Sequence, residues 1–392
     1  MSETPQTPQA SRPLTVLLDG DPAAPQQARL GAALTQRGHR VIVLDAPKII
    51  RQMKDEFGAT AEPMSSLPRW LGPLRNRDLH NKARQARVDV VHINFILPHR
   101  EVWTLPGAPA CVATAWGSDL NREVFARSSK HEASVHRLLQ GAHAVTADSQ
   151  PLLRKAAASM GANPAPRELV FWGVDLQAFD RSKVQDATVQ LREQLGIAPE
   201  ERVLLSPRQP APHYHIDRIV RAFALSEWHK DGVLVIKQHG KVNEGEYLGV
   251  VLGLAKNAGV KDRVRLAPRM PYEQLPALYA MAEAAVSLPE ADGVPSTFLE
   301  LMAVQVPVIC WNLAAYGGVI KNGERGGLTV PKGDQGALID TINRLRAEPE
   351  LGRQLGRAGE VWARENADWT ACVDKWLDLY HQAIAAHASG EH

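Results

Sequence analysis

Cysteine is scarce in this chain of 392 residues, which contains only Cys111, Cys310 and Cys372. The three lie far apart, their number is odd, and most of their neighbours are apolar. Neither a disulfide framework nor a metal-binding knuckle is favoured by that arrangement. We therefore expect the protein to work in a reducing cytoplasm rather than as a disulfide-stapled secreted domain.

The chain also has no large excess of positive or negative charge. Lys and Arg number 45 and Asp and Glu number 43, which gives a formal net charge of +2. This balance gives no electrostatic reason to expect a nucleic acid partner. Uninterrupted apolar runs stay below the roughly 18 residues that suggest a membrane-spanning helix. Residues 1–13 are polar and rich in proline, without an apolar stretch of signal-peptide length, and we expect them to be disordered.

What the chain does contain is a repeated alternation of apolar strands and amphipathic helices. It starts with "LTVLLDG", which predicts a buried parallel strand, then "PQQARLGAALTQRGH", a helix, and "RVIVLDAP", the next strand. A polar stretch near residues 180–200 interrupts the alternation, and "RVLLSP" begins a second set. The sequence therefore predicts an α/β fold in which two Rossmann-like parallel-sheet domains face a central cleft.

The length of the chain supports the same division, because it exceeds that of one ordinary core. We place the N-terminal domain at 14–185, the C-terminal domain at 186–365, and a final helix at 366–392 that packs back toward the first domain. Open parallel sheets bind ligands outside the carboxyl ends of their strands. The first strand-to-helix turn has Gly20 alone instead of G-x-G-x-x-G, so a nicotinamide dinucleotide enzyme is not expected.

The stretch "LPEADGVPSTFLELMAVQVPVIC", Leu288–Cys310, places two carboxylates around a strand-to-helix turn. Ser296 or Thr297 can cap the helix, whose free N–H groups and positive dipole end would attract a diphosphate. Asp292 could then accept sugar hydroxyls, and Glu300 both hydroxyls of a ribose. The alternative is that these acids only favour a helix N-terminus.

The ordered set of motifs from Leu14 onward resembles the retaining GT-B glycosyltransferases of family 4 (GT4). That family has a donor motif of an acid, seven residues and a Glu, before a Leu/Ala/Met helix. The matching segments here are "RGH", "DVVH", "WGSDL", "WGVDLQAF", "RVRLAPRMPYEQLPALYAMAEAAVSLPE", "DGVPSTFLELMA" and "NGERGGLTVPKGD". The resemblance implies a GT-B fold, with an acceptor domain first and a nucleotide-sugar donor domain second.

On the donor side the resemblance implies that Arg208 binds the phosphates and Glu300 the ribose. The backbone around Arg269 and Met270 would hold the base. The diphosphate would meet backbone donors of Gly293, Val294, Ser296 and Thr297, since Pro295 has no N–H. The family's Lys about five residues after the Arg is missing; Lys237 is the first candidate to replace it, ahead of His213 or His215.

On the acceptor side Trp116 stands where many relatives have a His, and a Trp cannot accept a proton. Asp119 and, more weakly, His92 are the remaining polar candidates, while Trp116 could form a wall for a sugar ring. Gly20 would permit close approach to bound sugar or acceptor. We expect the catalytic residues to be Asp292, Arg208 and Asp119.

Residues 63–88 carry six cations against one acid, with Trp70, Leu71 and Leu74 interleaved. This stretch could contact an anionic bilayer and a lipid-linked acceptor, or simply be a solvated face. Pro68 and Pro73 prevent one long helix.

The expected function is transfer of a sugar from a UDP- or GDP-linked donor to a sugar, lipid-linked or small-molecule hydroxyl acceptor, with retention of configuration. No metal or other cofactor is expected beyond the nucleotide sugar. Two alternatives remain: a nucleotide-sugar-binding protein with weak or no catalysis, and a nucleotide-sugar epimerase.

Overall fold

A computed structural model describes residues 12–21, 24–121, 128–240 and 244–390 of the chain. The disorder predicted for residues 1–13 lies outside these ranges except at its end, where Arg12 pairs with Asp89. The first domain contains a parallel sheet of seven strands in the order β3-β2-β1-β4-β5-β6-β7. Its strands are β1 (Thr15–Gly20), β2 (Arg40–Leu44), β3 (Glu62–Met64), β4 (Val90–Asn94), β5 (Ala110–Ala115), β6 (Ala144–Ala147) and β7 (Arg167–Leu169).

The second domain contains a parallel sheet of six strands in the order β10-β9-β8-β11-β12-β13. Because helices cover both faces, the strands are apolar along most of their length, as expected for parallel sheets. The predicted pair of Rossmann-like domains is confirmed. The strands are β8 (Arg202–Ser206), β9 (Gly232–Lys237), β10 (Val264–Ala267), β11 (Ala284–Ser287), β12 (Val308–Trp311) and β13 (Gly327–Val330).

The helices follow the strands in βα order until the chain turns purely helical after β13. Those of the first domain are α1 (Pro25–Gln36), α2 (Pro47–Phe57), α3 (Pro73–Gln85), α4 (Ser129–Gln140) and α5 (Gln150–Met160). Those that follow are α6 (Gln185–Gln194), α7 (Ile216–Leu225), α8 (Glu244–Asn257), α9 (Leu275–Ala280), α10 (Ser296–Ala303), α11 (Gln335–Ala347), α12 (Pro349–Asn366) and α13 (Trp369–Ser389).

Local sequence sets several of the helix ends. The side chains of Ser128, Asp334 and Asp368 accept N–H hydrogen bonds at the starts of α4, α11 and α13. Such a cap satisfies one of the donors that every helix leaves unpaired at its N-terminus. Helix α2 ends at Gly58, whose φ of +62° suits a residue without a Cβ.

Helix α13 packs on strands β4, β5 and β6 of the first sheet although it ends the chain. Its start is held by a β-bridge between Val174 and Asp368. The ring of Trp376 in this helix lies 4.9 Å from that of Trp172 in a tilted arrangement, and both belong to an apolar core that runs continuously between the two domains. This packing fixes the relative position of the two sheets and so shapes the cleft between them.

Candidate functional site

Four cationic or acidic side chains follow neighbouring strands of the second sheet. Lys237 ends β9, Arg208 comes two residues after β8, Arg269 two residues after β10, and Asp292 lies in the loop after β11. These strands are adjacent in the order β10-β9-β8-β11 and all parallel, so their carboxyl ends meet at one edge. The structure thus gathers the predicted donor residues on one side of the cleft.

Asp292 and Arg208 form an ion pair with little exposure to solvent. Arg208 Nη1 lies 2.7 Å from Asp292 Oδ2, and the two side chains are 11% and 15% exposed. The Tyr316 hydroxyl donates to the same carboxylate oxygen at 3.2 Å. Arg208 also donates to the Tyr214 hydroxyl at 2.9 Å and lies over that ring. Arg208 is therefore held rigidly beside the acidic loop.

Glu300 is buried in the middle of α10 and is held by hydroxyl groups. Tyr279 and Ser296 hydrogen-bond to its carboxylate, while Arg29 and Lys237 are close enough to act on its charge. Burial raises the pKa of Glu300, and these partners oppose the rise. Burial also lowers the pKa of Lys237 to about 8, against the opposing charges of Glu300 and then Glu244. Lys237 is thus near Glu300, whereas Arg208 pairs with Asp292.

The start of α10 differs from the sequence expectation. Pro295 occupies the N-cap position, Ser296 is already the first helical residue, and no side chain caps the helix. The prediction that Ser296 or Thr297 caps it is therefore wrong. Their hydroxyls turn inward instead, Ser296 toward Glu300 and Thr297 toward Tyr279. Within the ranges described, no acceptor is found for the backbone N–H groups of Ser296 and Thr297.

Asp148, at the carboxyl end of β6, is a residue that the sequence analysis missed. It is buried in the first domain, yet its carboxylate lies beside Gly293 and close to the Val294 N–H of the acidic loop. The predicted role of Val294 as a diphosphate donor stays a prediction. Burial, and then the charge of Asp292, raises the pKa of Asp148 well above its usual range.

The backbones of the two domains touch at Gly117 and Gly293. A Cβ on Gly117 would lie 2.8 Å from the Gly293 nitrogen, and one on Gly293 would lie 2.2 Å from Asp148 Oδ1. Both glycines are thus required by the contact between domains. Asp148 could have been suspected from its place at a strand end, but its contact with the loop depends on how the domains meet.

The acceptor-side candidates Asp119 and His92 are both buried and hydrogen-bonded within the protein. The buried Asp119 carboxylate accepts hydrogen bonds from the backbone N–H groups of Ile96, Trp116 and Gly117, at 2.9 to 3.1 Å. Asp119 thus holds two loops together, and its catalytic role stays a prediction. The buried His92 hydrogen-bonds Tyr380 and Thr114 through its two ring nitrogens, and burial lowers its pKa to about 3.

Gly20 lies against side chains of its own domain. A Cβ at this position would lie 1.9 Å from Gln27 Oε1 and 2.8 Å from Asn94 Cβ. Side chains of the first domain therefore fill the space that a Cβ on Gly20 would take, and the approach of a sugar or acceptor to Gly20 stays a prediction. Trp116 is partly buried, with its ring 4.8 Å from that of Trp172, and its role as a sugar wall stays a prediction.

The three candidates to replace the missing Lys, which are Lys237, His213 and His215, contact different groups. His215 Nε2 lies 2.8 Å from a Glu290 carboxylate oxygen, and the His213 ring stacks on Tyr214 at 4.3 Å. Lys237, in contrast, is close enough to Glu300 for the two charges to act on each other. The exposed Arg269 and the partly buried Met270 follow β10, at the edge where a base would lie.

Arg29 on α1 is a second residue that sequence reasoning missed. It is buried, donates to the Gly173 carbonyl at 3.0 Å, and lies over the rings of Trp369 and Tyr272. Its Nη2 has no hydrogen-bond partner in the described part of the chain. A cation of the first domain therefore reaches the surroundings of Glu300 in the second.

Two features are absent from residues 12–21, 24–121, 128–240 and 244–390. These ranges contain no group of three or more His, Cys, Asp or Glu side chains placed to hold a metal ion. They also contain no helix with the length and apolar character needed to cross a bilayer.

The sequence is similar to known glycosyltransferases over both domains. Residues 27–178 match the family described as Glycosyltransferase Family 4, and residues 188–362 match Glycosyl transferases group 1. A GDP-mannose-dependent alpha-(1-6)-phosphatidylinositol monomannoside mannosyltransferase of Mycolicibacterium smegmatis is 27% identical, covering 67% of this chain and 68% of that protein. A D-inositol 3-phosphate glycosyltransferase of Thermobifida fusca is 24% identical, covering 76% and 72%.

Solved structures show the same fold. HepE from Anabaena, in complex with UDP, has a TM-score of 0.79 at 16% identity and covers 94% of this chain and 99% of its own. WaaG, a glycosyltransferase involved in lipopolysaccharide biosynthesis, has a TM-score of 0.68 at 15% identity, with coverage of 94% and 99%. The two family matches follow one another through both domains, and this chain therefore belongs to the family 4 glycosyltransferases with the GT-B fold.

Proposed function

We propose that this enzyme transfers a sugar from a UDP- or GDP-linked donor to a hydroxyl acceptor with retention at the anomeric carbon. The observation that carries the proposal is the convergence of Arg208, Lys237, Glu300 and the N-terminus of α10 at one sheet edge, opposite the first domain. The relatives named above use GDP-mannose or act on an inositol phosphate, and the Anabaena structure binds UDP.

The diphosphate is proposed to lie between Arg208 and the free N–H groups of Ser296 and Thr297. Loss of the nucleoside diphosphate places negative charge on the leaving oxygen, so cations and backbone donors fixed in advance stabilise the transition state. In the structure Arg208 is paired with Asp292. Bound diphosphate would share Arg208 with that carboxylate, which leaves Asp292 free to accept a sugar hydroxyl.

Glu300 is proposed to accept the hydroxyls of the ribose, with the base held by the backbone at Arg269 and Met270. A carboxylate can accept two hydrogen bonds from a vicinal diol, and bonds to a charged acceptor are the stronger ones. Lys237, close to Glu300, would supply the positive charge of the missing Lys. In this proposal Arg208, Lys237 and the backbone donors provide the charge stabilisation, and no metal cofactor is needed.

The acceptor proton is proposed to pass to the leaving phosphate itself. Asp119 and His92 are both buried and hydrogen-bonded within the protein, so neither is placed as a general base. A retaining transfer in which the departing oxygen takes the proton requires no such residue. The same proposal places the enzyme in glycolipid or glycan synthesis, in the cytoplasm that the three free, buried cysteines favour.

The proposal is tested by measuring nucleoside diphosphate release from UDP- and GDP-sugars. A thermal-shift screen with UDP and GDP first identifies the base, since a ligand that binds only the folded state raises apparent stability. Glu300→Gln should then slow release by at least about 10-fold through weaker charged hydrogen bonds. Glu246→Gln, an exposed carboxylate on α8, is the matched control.

The two alternatives give different results in the same assay. Equal background release by wild type and Glu300→Gln would contradict the enzyme and favour a nucleotide-sugar-binding protein. Formation of a new sugar nucleotide without any acceptor would favour an epimerase. Analysis of the product's anomeric configuration decides whether transfer is retaining.

A further inference from the structure

A cavity of about 250 Å³ lies in the first domain, away from the donor residues. One wall is formed by Arg69, Arg75 and Asn76, which follow β3, and the other by the segment Pro98–Leu105, which follows β4. Both walls therefore come from segments that follow the carboxyl ends of strands, including the first turn of α3, at the edge where parallel sheets bind ligands. The volume suits a small polar group rather than a drug-sized molecule.

Arg75 is a buried guanidinium without a partner. It is 5% exposed, and the described part of the chain offers it neither a hydrogen-bond acceptor nor an ion pair. Its Nε is shielded from solvent and has no partner. Buried charges are normally paired, so this arrangement indicates a missing anion.

The carboxylates nearest to Arg75 are already engaged elsewhere. Asp19 accepts from Arg100 at 2.8 Å and from the Trp103 indole at 2.7 Å. Asp45 accepts from the backbone N–H and the hydroxyl of Ser66. These pairs leave the charge of Arg75 without a direct counterion.

The rest of the cavity wall adds positive charge. Arg69 lines the cavity, is exposed, and has no ion pair among the residues described. Glu101 also lines it, but its carboxylate is taken by Arg137 at 2.6 Å and by Ser134. Burial, and then the charges of Arg100 and Arg69, lowers the pKa of His99 to about 4, so this ring is neutral and can donate one N–H. Two guanidinium groups and a neutral imidazole match the donors that a phosphate requires.

We propose that this cavity is an acceptor subsite that binds a phosphate group, with Arg75 and Arg69 as its ligands. The inference rests on the proposed function, since it assigns the phosphate to the acceptor. Beside the cavity Trp70 and Leu74 are 82% and 62% exposed. These side chains would suit a phosphate carried by a lipid, whereas a soluble phosphorylated acceptor would use the cavity alone.

The test is calorimetric titration with inorganic phosphate in the presence of saturating UDP or GDP, so that the donor site is occupied. Arg75→Gln should lower phosphate affinity by about 10- to 100-fold, the effect of losing a charged hydrogen-bond donor. Arg69→Gln, a substitution at an exposed position, should also lower it. Arg77→Gln, on the same helix but outside the cavity, is the matched control and should bind phosphate as wild type does.

Equal phosphate affinity in wild type, Arg75→Gln and Arg69→Gln would overturn the proposal, as would no binding by wild type. Binding of UDP or GDP by wild type is measured separately, because its failure would contradict the proposed function and not the subsite. Arg75→Gln should also raise the unliganded melting temperature, since it removes an unpaired buried charge.

A second arm identifies the source of the phosphate. Wild type, Trp70→Ala and Arg75→Gln are each sedimented with phosphatidylcholine vesicles that contain or lack phosphatidylglycerol. If wild type binds the anionic vesicles and both Trp70→Ala and Arg75→Gln lose that binding, the phosphate is carried by a lipid. Phosphate binding without vesicle binding supports a soluble phosphorylated acceptor in the same subsite.

Discussion

The ion pair between Arg208 and Asp292 can be tested by a double-mutant cycle. Replacing Arg208 by Met leaves the Asp292 carboxylate with only the Tyr316 hydroxyl, 3.2 Å away. Removing one partner of a buried ion pair typically destabilises by about 3–5 kcal/mol. Both side chains are at most 15% exposed, so solvent screens this pair little.

The complementary change, Asp292→Asn, leaves Arg208 with the Tyr214 hydroxyl and ring. We expect it to destabilise by about 1.5–3 kcal/mol, the usual worth of a hydrogen bond to a charged group. The double variant carries neither charge, so its loss should be smaller than the sum of the single losses by about 1–3 kcal/mol.

The free energy of unfolding is measured from urea titrations followed by tryptophan fluorescence, with linear extrapolation to water. Losses that add within about 0.5 kcal/mol would refute the reasoning, because independent sites behave that way. The same variants titrated with the donor's nucleoside diphosphate show whether Arg208 also holds the phosphates, since Arg208→Met should weaken that binding and Asp292→Asn should not.

Three further changes probe the contacts between the domains. Asp148→Asn should raise the free energy of unfolding relative to wild type, by an amount that grows above pH 4. Wild-type Asp148 keeps its proton in the folded state, so the wild-type free energy of unfolding falls by about 1.4 kcal/mol per pH unit until the pH reaches the raised pKa of the folded state. Urea titrations at a series of pH values would show this difference. Gly117 has a φ of +119° and lies against Gly293, so Gly117→Ala should destabilise the protein by about 1–3 kcal/mol and slow sugar transfer. Thermal unfolding and product release measure the two effects. Unchanged values would contradict the close contact between Gly117 and Gly293. Tyr380→Phe removes the 2.7 Å hydrogen bond to His92 and should destabilise by about 0.5–1.5 kcal/mol without changing the KM for the donor; a changed KM would contradict a structural role for His92.

The strands were predictable from sequence because a parallel sheet covered on both faces requires nearly continuous apolar residues. Segments such as "RVLLS" and "VICW" meet that requirement, and each is a strand of the structure. The GT-B fold and the family were also predictable, since the motifs occur in order along both domains. The direct pairing of Arg208 with Asp292 was not predicted.

The remaining errors concern contacts between distant parts of the chain. Nothing in the local sequence shows that Gln27 fills the space beside Gly20, or that Tyr380 hydrogen-bonds His92 from the last helix. Asp148 and the acidic loop are likewise far apart in the sequence and belong to different domains. They come together only because the two domains are in contact. Local patterns predict which residues reach a sheet edge, but they do not predict which of them another side chain already occupies.

A crystal structure with the intact sugar nucleotide tests the central claim most directly. Our account predicts diphosphate oxygens within hydrogen-bond distance of Arg208 and of the backbone N–H groups of Ser296 and Thr297, with the ribose on Glu300. A donor bound elsewhere, with Arg208 still paired only to Asp292, would contradict it.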